Sequence, residues 1–233
     1  MSERRALPNE EINLWAYRLE SKSPQEVLQW AVQRFGPDIT LASSFGAEDV
    51  VLIDMLQKLA PQTPIFYLDT NKYFPETYET RDRLQERYGV SFIQVLPKLT
   101  LAEQAELHGE NLWEKNPNLC CQIRKVEPLA GILSHFDAWI TGIRREQAPT
   151  RAQAKKLEWD EKFHLVKCNP LAAWTHEQVW SYIRENELPY NPLHDQHFPS
   201  IGCSVCTRPV KPGEDPRAGR WSGFDKTECG LHK

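Results

Sequence analysis

Short apolar stretches alternate with longer amphipathic ones over much of the chain, and few folds accommodate such a pattern. The stretch 39–43 is apolar and β-branched and lies between Gly36-Pro37-Asp38 and Gly46, as expected of a buried strand. The predicted strands are 39–43, 65–69, 91–95 and 138–142. The predicted helices are 10–20, 24–35, 50–59, 75–88, 101–108, 125–133 and 179–186. Because strands separated by helices favour a parallel sheet, the sequence predicts an α/β fold with a doubly wound, mostly parallel sheet of four strands.

The remaining segment, 188–233, is rich in Pro and Gly and shows little periodicity. An irregular segment of this length is uncommon in a compact domain unless it is functional or flexible. We therefore predict that residues 1–187 form the α/β part of one domain. Residues 188–233 form an irregular C-terminal tail of the same domain, and something other than a hydrophobic core must hold it.

Composition excludes several classes of protein. With 40% hydrophobic and 26% charged residues in a chain of 233, we expect a folded protein and not a disordered one. The first residues lack the apolar stretch of a signal peptide, and no apolar run approaches the roughly 18 residues of a membrane span. We therefore expect a cytoplasmic protein without a membrane partner.

Positive charge is concentrated in two segments of a chain whose net charge is −4. Residues 120–156 carry seven basic and three acidic side chains, and residues 203–233 carry six basic and four acidic ones. The overall charge argues against a nucleic-acid partner, which needs a broad basic face. The two basic segments favour a small, highly charged anion as the ligand, although chance variation of a solvated surface is an alternative explanation.

The cysteines carry the strongest chemical signal. Six occur, at positions 120, 121, 168, 203, 206 and 229. In a reducing compartment a disulfide framework is not expected. The adjacent pair Cys120-Cys121 and the CxxC pair Cys203 and Cys206 together offer four thiolates, which suits either a zinc ion or an iron–sulfur cluster. Neighbouring side chains can serve one site only if the backbone at 120–121 is helical or kinked. Cys168 lies in a strand-like stretch and is predicted to be an inert core residue.

Cys229 differs from the other five because it lies near the end of the tail, in Glu228-Cys229-Gly230-Leu231-His232. A tail with several glycines can carry a thiol into a cleft and out again. Nearby cations in the same segment favour a thiolate, the reactive form of cysteine. We interpret Cys229 as a nucleophile, with an incidental exposed cysteine as the alternative.

Two strand ends predict the position of a ligand, because open α/β sheets bind ligands at the carboxyl ends of their strands. The first strand continues into Ser43-Ser44-Phe45-Gly46-Ala47-Glu48-Asp49, where hydroxyl and backbone N–H groups can hold phosphate at a helix start. The stretch lacks the glycine patterns of the common nucleotide loops, so a plain structural turn is the alternative. The second strand ends in Leu68-Asp69-Thr70, where a ribose or adenine contact is expected.

Several segments taken together resemble the assimilatory adenylylsulfate reductases of the iron–sulfur type, within the wider phosphoadenylylsulfate reductase family. They are the serine loop 43–49, the stretches 68–70, 120–125 and 141–145, and the cysteine-containing segments 202–206 and 228–232. The resemblance covers nearly the whole chain. The CC pair, the CxxC pair and the ECGLH ending are highly specific in combination.

The resemblance implies a fold like that of the adenine-nucleotide α-hydrolases, in which the loop after the first strand is a modified pyrophosphate loop. That loop has one glycine here, which disfavours ATP cleavage. It also implies that Cys120, Cys121, Cys203 and Cys206 hold a [4Fe–4S] cluster, with Cys229 as the catalytic nucleophile. The implied substrate-binding residues are Ser43, Ser44, Gly46, Asp69, Thr70, Lys125, Arg144, Arg145, Arg217, Arg220 and His232.

The activity that the resemblance implies is reduction of adenosine 5′-phosphosulfate (APS) to sulfite and AMP, in sulfate assimilation and cysteine biosynthesis. The implied intermediate is an S-sulfocysteine at Cys229, and thioredoxin or glutaredoxin is the implied reductant. The sequence leaves open a homo-oligomer and the use of 3′-phosphoadenosine 5′-phosphosulfate (PAPS), alone or with APS. An ATP pyrophosphatase or sulfurtransferase and a zinc-stapled binding module are the alternatives of other classes.

Overall fold

The computed structural model describes residues 7–231, so the predicted substrate residue His232 lies outside the described residues. Within them, one six-stranded sheet has the order β3-β2-β1-β4-β6-β5. Its strands are β1 Ile39–Ser43, β2 Ile65–Leu68, β3 Ile93–Val95, β4 Ala138–Ile140, β5 Leu157–Asp160 and β6 Leu165–Cys168. All neighbours pair in parallel except β5 and β6, which are antiparallel.

The predicted number of four strands is wrong, because β5 and β6 extend the sheet beyond β4. Strand β5 carries Glu158 and Asp160 and pairs with a single neighbour at the edge of the sheet. An edge strand with two charged residues lacks the continuous apolar run that indicates the buried strands.

Seven helices of the described residues lie close to predicted positions, and two short ones, Leu112–Lys115 and Pro117–Cys121, were not predicted. They are α1 Asn9–Leu19, α2 Pro24–Phe35, α3 Ala47–Leu59, α4 Pro75–Tyr88, α5 Leu101–His108, α6 Leu112–Lys115, α7 Pro117–Cys121, α8 Glu127–Leu133 and α9 His176–Glu185. Ser23, Thr100 and Thr175 each form a capping box at the start of a helix. A capping box provides acceptors for two backbone N–H groups that would otherwise lack partners at the start of the helix. It therefore fixes the residue at which the helix begins.

The helix predicted at 125–133 begins earlier and is interrupted. Helix α7 continues into a π-helical turn at Gln122–Val126 and then into α8. In that turn the N–H of Glu127 donates to the carbonyl of Gln122, five residues back. Pro128 follows directly and has no N–H to continue the usual pattern. The turn changes the direction of the side chains between Cys121 and Lys125, and π turns of this kind are frequent at functional sites.

Both faces of the sheet are buried, as a doubly wound fold requires. The larger core cluster includes Ile39, Leu41 and Ile140, with residues of α2 and α3 packed on that face. A smaller cluster on the other face joins strand residues to α8 and includes Trp139 and Leu129. No helix of residues 7–231 is both long and apolar enough to cross a bilayer.

Between α9 and residue 231 the chain forms only short 3₁₀ turns and isolated bridges, yet it is packed against the sheet domain. Trp221 is buried, and the side chain of Leu231 packs on the smaller core cluster. Lys162 donates from Nζ to the carbonyl of Gly230 at 2.6 Å, and Lys226 donates to Asn118 at 2.5 Å. Polar contacts of the protein itself therefore hold much of this tail in place.

Candidate active site

A cavity of about 500 Å³ opens at the carboxyl ends of β1 and β4. These strands are neighbours in the sheet, but the chain continues from β1 to β2 on one side and from β4 to β5 and β6 on the other. Ligands of open α/β sheets bind where the strand order reverses in this way. Residues of the tail form the opposite wall of the cavity. The predicted site residues on its wall are Ser43, Ser44, Gly46, Lys125, Arg144, Arg217, Arg220 and Cys229.

The floor of the cavity contains the serine loop between β1 and α3. Asp49, in the first turn of α3, accepts hydrogen bonds from the backbone N–H of Ser44 at 2.6 Å and from its hydroxyl at 2.8 Å. Phe45 adopts a left-handed backbone conformation (φ 59°), and its N–H donates to Ser43 Oγ at 3.0 Å. The loop is thus held in one conformation by its own side chains, with Gly46 at the start of the helix.

Arg144 is buried on the wall beside this loop. Its Nε donates to Glu48 Oε1 at 2.8 Å, and its NH1 donates to the carbonyl of Trp174 at 3.3 Å. Burial raises the pKa of the Glu48 carboxyl, but the charge and hydrogen bond of Arg144 lower it more, so the net shift is downward. The pair keeps a guanidinium and a carboxylate fixed at the edge of the cavity.

Three of the predicted substrate residues do not line the cavity. Arg145 donates to the carbonyl of Ala154 at 2.8 Å and to Glu20 at 2.7 Å, away from the serine loop. Asp69 accepts hydrogen bonds from three groups: the N–H of Asn71, the hydroxyl of Tyr78 and the amide of Gln94. The hydroxyl of Thr70 lies 3.3 Å from Cys203 Sγ. These three side chains have partners of their own within the protein.

The four paired cysteines come from two distant parts of the chain. Cys120 and Cys121 lie in α7, so their backbone is helical as predicted, and Cys203 and Cys206 lie in a tail loop. The N–H of Ser204 donates to the carbonyl of Lys72 at 2.7 Å, which fastens that loop to the connection between β2 and α4. All six cysteines of the chain are free thiols.

The thiols of this quartet influence one another. Burial, together with the neighbouring cysteines, raises the pKa of Cys120 to about 11 and that of Cys206 to about 12. Burial also raises the pKa of Cys203, but Lys125, the hydroxyl of Thr70 and Arg220 lower it more, so the pKa lies below its ordinary value. Cys203 is therefore the member of the quartet whose surroundings favour the thiolate.

Lys125 lies between the quartet and the cavity. It is only 8% exposed and lines the cavity wall from the π turn. Burial lowers the pKa of its ammonium group, but the facing thiols of Cys203, Cys229 and Cys121 raise it more, and the net shift is upward. A cation is thus kept at the point where the cysteine quartet and the cavity meet.

Cys229 is half-buried on the cavity wall, opposite the sheet. Its thiol interacts electrostatically with Lys125 and Arg217. Cys168, by contrast, is fully buried in β6, as predicted for a core residue.

Three buried nitrogen atoms of the wall have no hydrogen-bond partner within residues 7–231. They are Nε2 of His194, Nε of Arg217 and Nε of Arg220. A buried polar atom without a partner is rare in a folded protein unless a ligand or water satisfies it. The two arginine Nε–H groups are donors suited to an anionic ligand.

Sequence reasoning missed several wall residues. Glu48 and Asp49 belong to the serine loop 43–49, but the sequence indicates no role for either. Arg151 belongs to the basic segment 120–156, but the sequence does not distinguish it from the other cations there. No sequence pattern points to His194. The structure brings all four to the same cavity.

Comparison with known proteins identifies the family. Residues 38–209 match the phosphoadenosine phosphosulfate reductase domain. The chain belongs to this family. Among reductases with curated names, it is 50% identical to the adenosine 5′-phosphosulfate reductase of Shouchella clausii, over 92% of this chain and 90% of that protein. It is 51% identical to the phosphoadenosine 5′-phosphosulfate reductase of Gloeobacter violaceus, over 93% and 91%.

Solved structures support the same family and fold. The phosphoadenylyl-sulfate reductase of Candida auris superposes with a TM-score of 0.79 at 34% identity, covering 88% of this chain and all of that one. The FMN adenylyltransferase of Candida glabrata shares the fold at 17% identity, with a TM-score of 0.60 over 88% of this chain and 69% of that one. These similarities confirm the predicted fold class, an α/β fold like that of the adenine-nucleotide α-hydrolases.

Proposed function

We propose that this chain reduces APS to sulfite and AMP, in sulfate assimilation and cysteine biosynthesis. One observation carries the proposal: Cys229 and the cations Lys125, Arg217 and Arg220 line the same cavity as the serine loop. A nucleophile, a charge-neutralising group and a phosphate-binding loop are the three parts that such a reaction requires. Residues 1–187 would then bind the nucleotide, and the tail 188–233 would supply the nucleophile.

In the first step the Cys229 thiolate attacks the sulfur of the sulfate group. A sulfur–sulfur bond forms, the bond between sulfur and the bridging oxygen breaks, and AMP leaves with the electron pair of that bond. The product on the protein is an S-sulfocysteine. Lys125 and the two tail arginines lower the barrier because they offset the negative charge of both the phosphosulfate and the leaving phosphate.

In the second step a dithiol protein such as thioredoxin or glutaredoxin attacks the S-sulfocysteine and releases sulfite. The dithiol supplies two electrons and becomes a disulfide, and Cys229 returns to its thiol form. The six free cysteines and a thiol reductant suit a reducing compartment, and we place the protein in the cytoplasm.

Cys120, Cys121, Cys203 and Cys206 would hold a [4Fe–4S] cluster. The donor set fits, since four free thiols from α7 and the tail loop influence one another's ionisation. Within residues 7–231, no three His, Cys, Asp or Glu side chains converge on a position for one metal ion. A four-iron cluster does not require such convergence, because each thiolate binds a different iron atom. When bound, the cluster would fasten the tail loop to α7 and shape the electrostatic field at Lys125.

APS is the preferred substrate in this proposal because the cysteine quartet resembles that of the reductases that use APS. A relative that is 51% identical is named for PAPS, against 50% for one named for APS, so the two nucleotides form the direct comparison. Steady-state rates with APS and PAPS measure the preference. A higher kcat/KM for PAPS would overturn this part of the proposal.

Mass spectrometry tests the function itself. Incubating the protein with APS but without a thiol should add one SO₃ group, about 80 Da, to the peptide that contains Cys229. The Cys229→Ser variant should retain its iron and acquire no adduct. The Cys168→Ala variant is the matched control and should acquire the adduct normally. An adduct on any other cysteine, or sulfite production by the Ser variant at the parent rate, would overturn the proposal.

A further inference from the structure

The carboxylate of Glu228, the residue directly before Cys229, is buried within the tail. Glu228 is only 3% exposed. Arg151 donates to it through two nitrogen atoms, Nε to Oε1 and NH2 to Oε2, each at 2.8 Å. Thr150 donates its hydroxyl to Oε1 at 3.1 Å, and Arg217 donates from NH2 to Oε2 at 3.2 Å. All of these partners except Arg217 come from the segment after β4.

Such a carboxylate is held firmly in its charged form. Burial raises the pKa of Glu228, but the hydrogen bond and charge of Arg151 and the charge of Arg217 lower it more, so the net shift is downward. Bidentate contacts between a guanidinium and a carboxylate fix direction as well as distance. The Cα of Cys229 is only about 3.8 Å further along the chain. Fixing the Glu228 side chain therefore restricts where the thiol can lie.

Arg217 is bound less completely than Arg151. It makes one 3.2 Å contact with Glu228 and one 2.8 Å contact with the carbonyl of Thr227, and its buried Nε has no partner within residues 7–231. It also lines the cavity and interacts electrostatically with Cys229. The Arg217 guanidinium can therefore bind the Glu228 carboxylate and, at the same time, an anion in the cavity.

We propose that Glu228 is a positioning residue that holds the tail closed, with Cys229 at the cavity, until the thiol has been sulfonated. This inference rests on the proposed function. Sulfonation replaces the Cys229 thiolate with a larger anion, a sulfonate whose oxygen atoms extend towards Arg217. That anion competes with Glu228 for the same guanidinium, and the like charges repel each other. The ion pair between Arg217 and Glu228 therefore weakens after the first step. The tail then opens and exposes the S-sulfocysteine to the reductant.

The test compares Glu228→Gln with a matched control, Glu214→Gln. Gln keeps the size of the side chain and one acceptor oxygen but removes the charge. Glu214 belongs to the same tail and pairs with Arg208 at 2.9 Å, but it does not line the cavity. Thr150→Val is the milder second variant, because it removes one hydrogen bond to Glu228 and keeps every charge.

Hydrogen exchange of residues 222–231 is measured first, without substrate. Exchange should rise about tenfold or more in Glu228→Gln, rise less in Thr150→Val, and stay at the parent rate in Glu214→Gln. The two half-reactions are then timed separately. Sulfonation of Cys229 in a single turnover should slow about tenfold or more in Glu228→Gln, whereas sulfite release from preformed S-sulfo protein should be as fast as in the parent or faster.

The proposal is overturned if tail exchange in Glu228→Gln equals that of the parent, or if exchange rises while sulfonation keeps its rate. It is also overturned if both half-reactions slow by the same factor, since a residue that only positions the closed tail affects the first alone. If the parent protein forms no S-sulfonate while the exchange results hold, the proposed function fails and the closing role of Glu228 stands.

Discussion

Asp49 is a carboxyl group whose ionisation opposes folding. It lies in the first turn of α3 and is buried beside the serine loop. Burial raises its pKa from 3.8 to about 6, although the hydrogen bonds from Ser44 act in the opposite direction. Between these two pKa values the unfolded chain has lost the proton and the folded chain still holds it. The free energy of unfolding contributed by this group therefore falls as the pH rises through that range.

We expect Asp49→Asn to remove this pH dependence. From about pH 5 to about pH 7, the stability of the variant relative to the parent should rise by about 1 kcal/mol. Chemical denaturation at several pH values measures this difference. Asp38→Asn, which changes an exposed carboxylate, is the control and should show no such trend. A constant difference between Asp49→Asn and the parent across this range would contradict the assigned pKa.

At the scale of elements, the cluster that we propose would hold the tail loop at 203–206 in addition to its polar contacts. We expect Cys203→Ala to lose iron, because the variant has only three of the four thiolates that a cluster binds. Protease cleavage within residues 204–231 should accelerate several-fold. Iron analysis and timed proteolysis with mass detection measure both effects.

Cys168→Ala is the matched control for this loss. It removes a thiol of the same size from the core of β6 and should keep its iron and its resistant tail. If Cys203→Ala kept a full complement of iron, or if its tail remained as resistant as that of the parent, the quartet would not fasten the tail.

The elements that the sequence predicted accurately have local signals at their ends. Helices α4 and α5 begin and end at the predicted residues, since a proline opens the first and the Thr100 capping box opens the second, with a glycine following each. The π turn at Gln122–Val126 has no such signal. Beside Pro128 the backbone hydrogen bonds span five residues and not four. Tertiary packing, which the local sequence does not show, decides whether a proline ends a helix or only distorts it.

The candidate site divides in the same way. The sequence singles out the cysteines by their spacing and the serine loop by its position between a strand and a helix, and their roles stay predictions. The contact between Arg151 and Glu228 joins residues 77 positions apart, and the hydrogen bond between Thr70 and Cys203 joins residues 133 apart. One sequence contains no information on such pairs until the sheet order is known. The hairpin of β5 and β6 was missed for a related reason. Strand β5 has no apolar run of its own, and only its pairing with β6 shows that it is a strand.

For the whole molecule, the uneven distribution of charge predicts how substrate association responds to salt. The net charge is −4, yet the cavity has several cations on its wall, and an APS anion approaches through solvent. Long-range attraction of this kind is screened within about 10 Å at 0.1 M salt. We expect kcat/KM for APS to fall about three- to tenfold between low and high ionic strength, with kcat nearly constant.

Steady-state kinetics in increasing KCl measures this response. Lys226→Gln, which removes a tail cation near Trp221, should reduce the salt dependence. Lys98→Gln, which removes an exposed cation elsewhere, should leave it as in the parent. A kcat/KM that is independent of salt would show that the basic segments do not guide the substrate.

The two halves of the cysteine quartet lie more than eighty residues apart along the chain. Strands β4, β5 and β6 and helix α9 are all made between them. During synthesis, therefore, the sheet domain has emerged from the ribosome and begun to fold while α7 still displays only its own two thiols. A nascent chain that ends before the tail cannot offer all four thiols, so the cluster that we propose would be among the last features of the protein to mature.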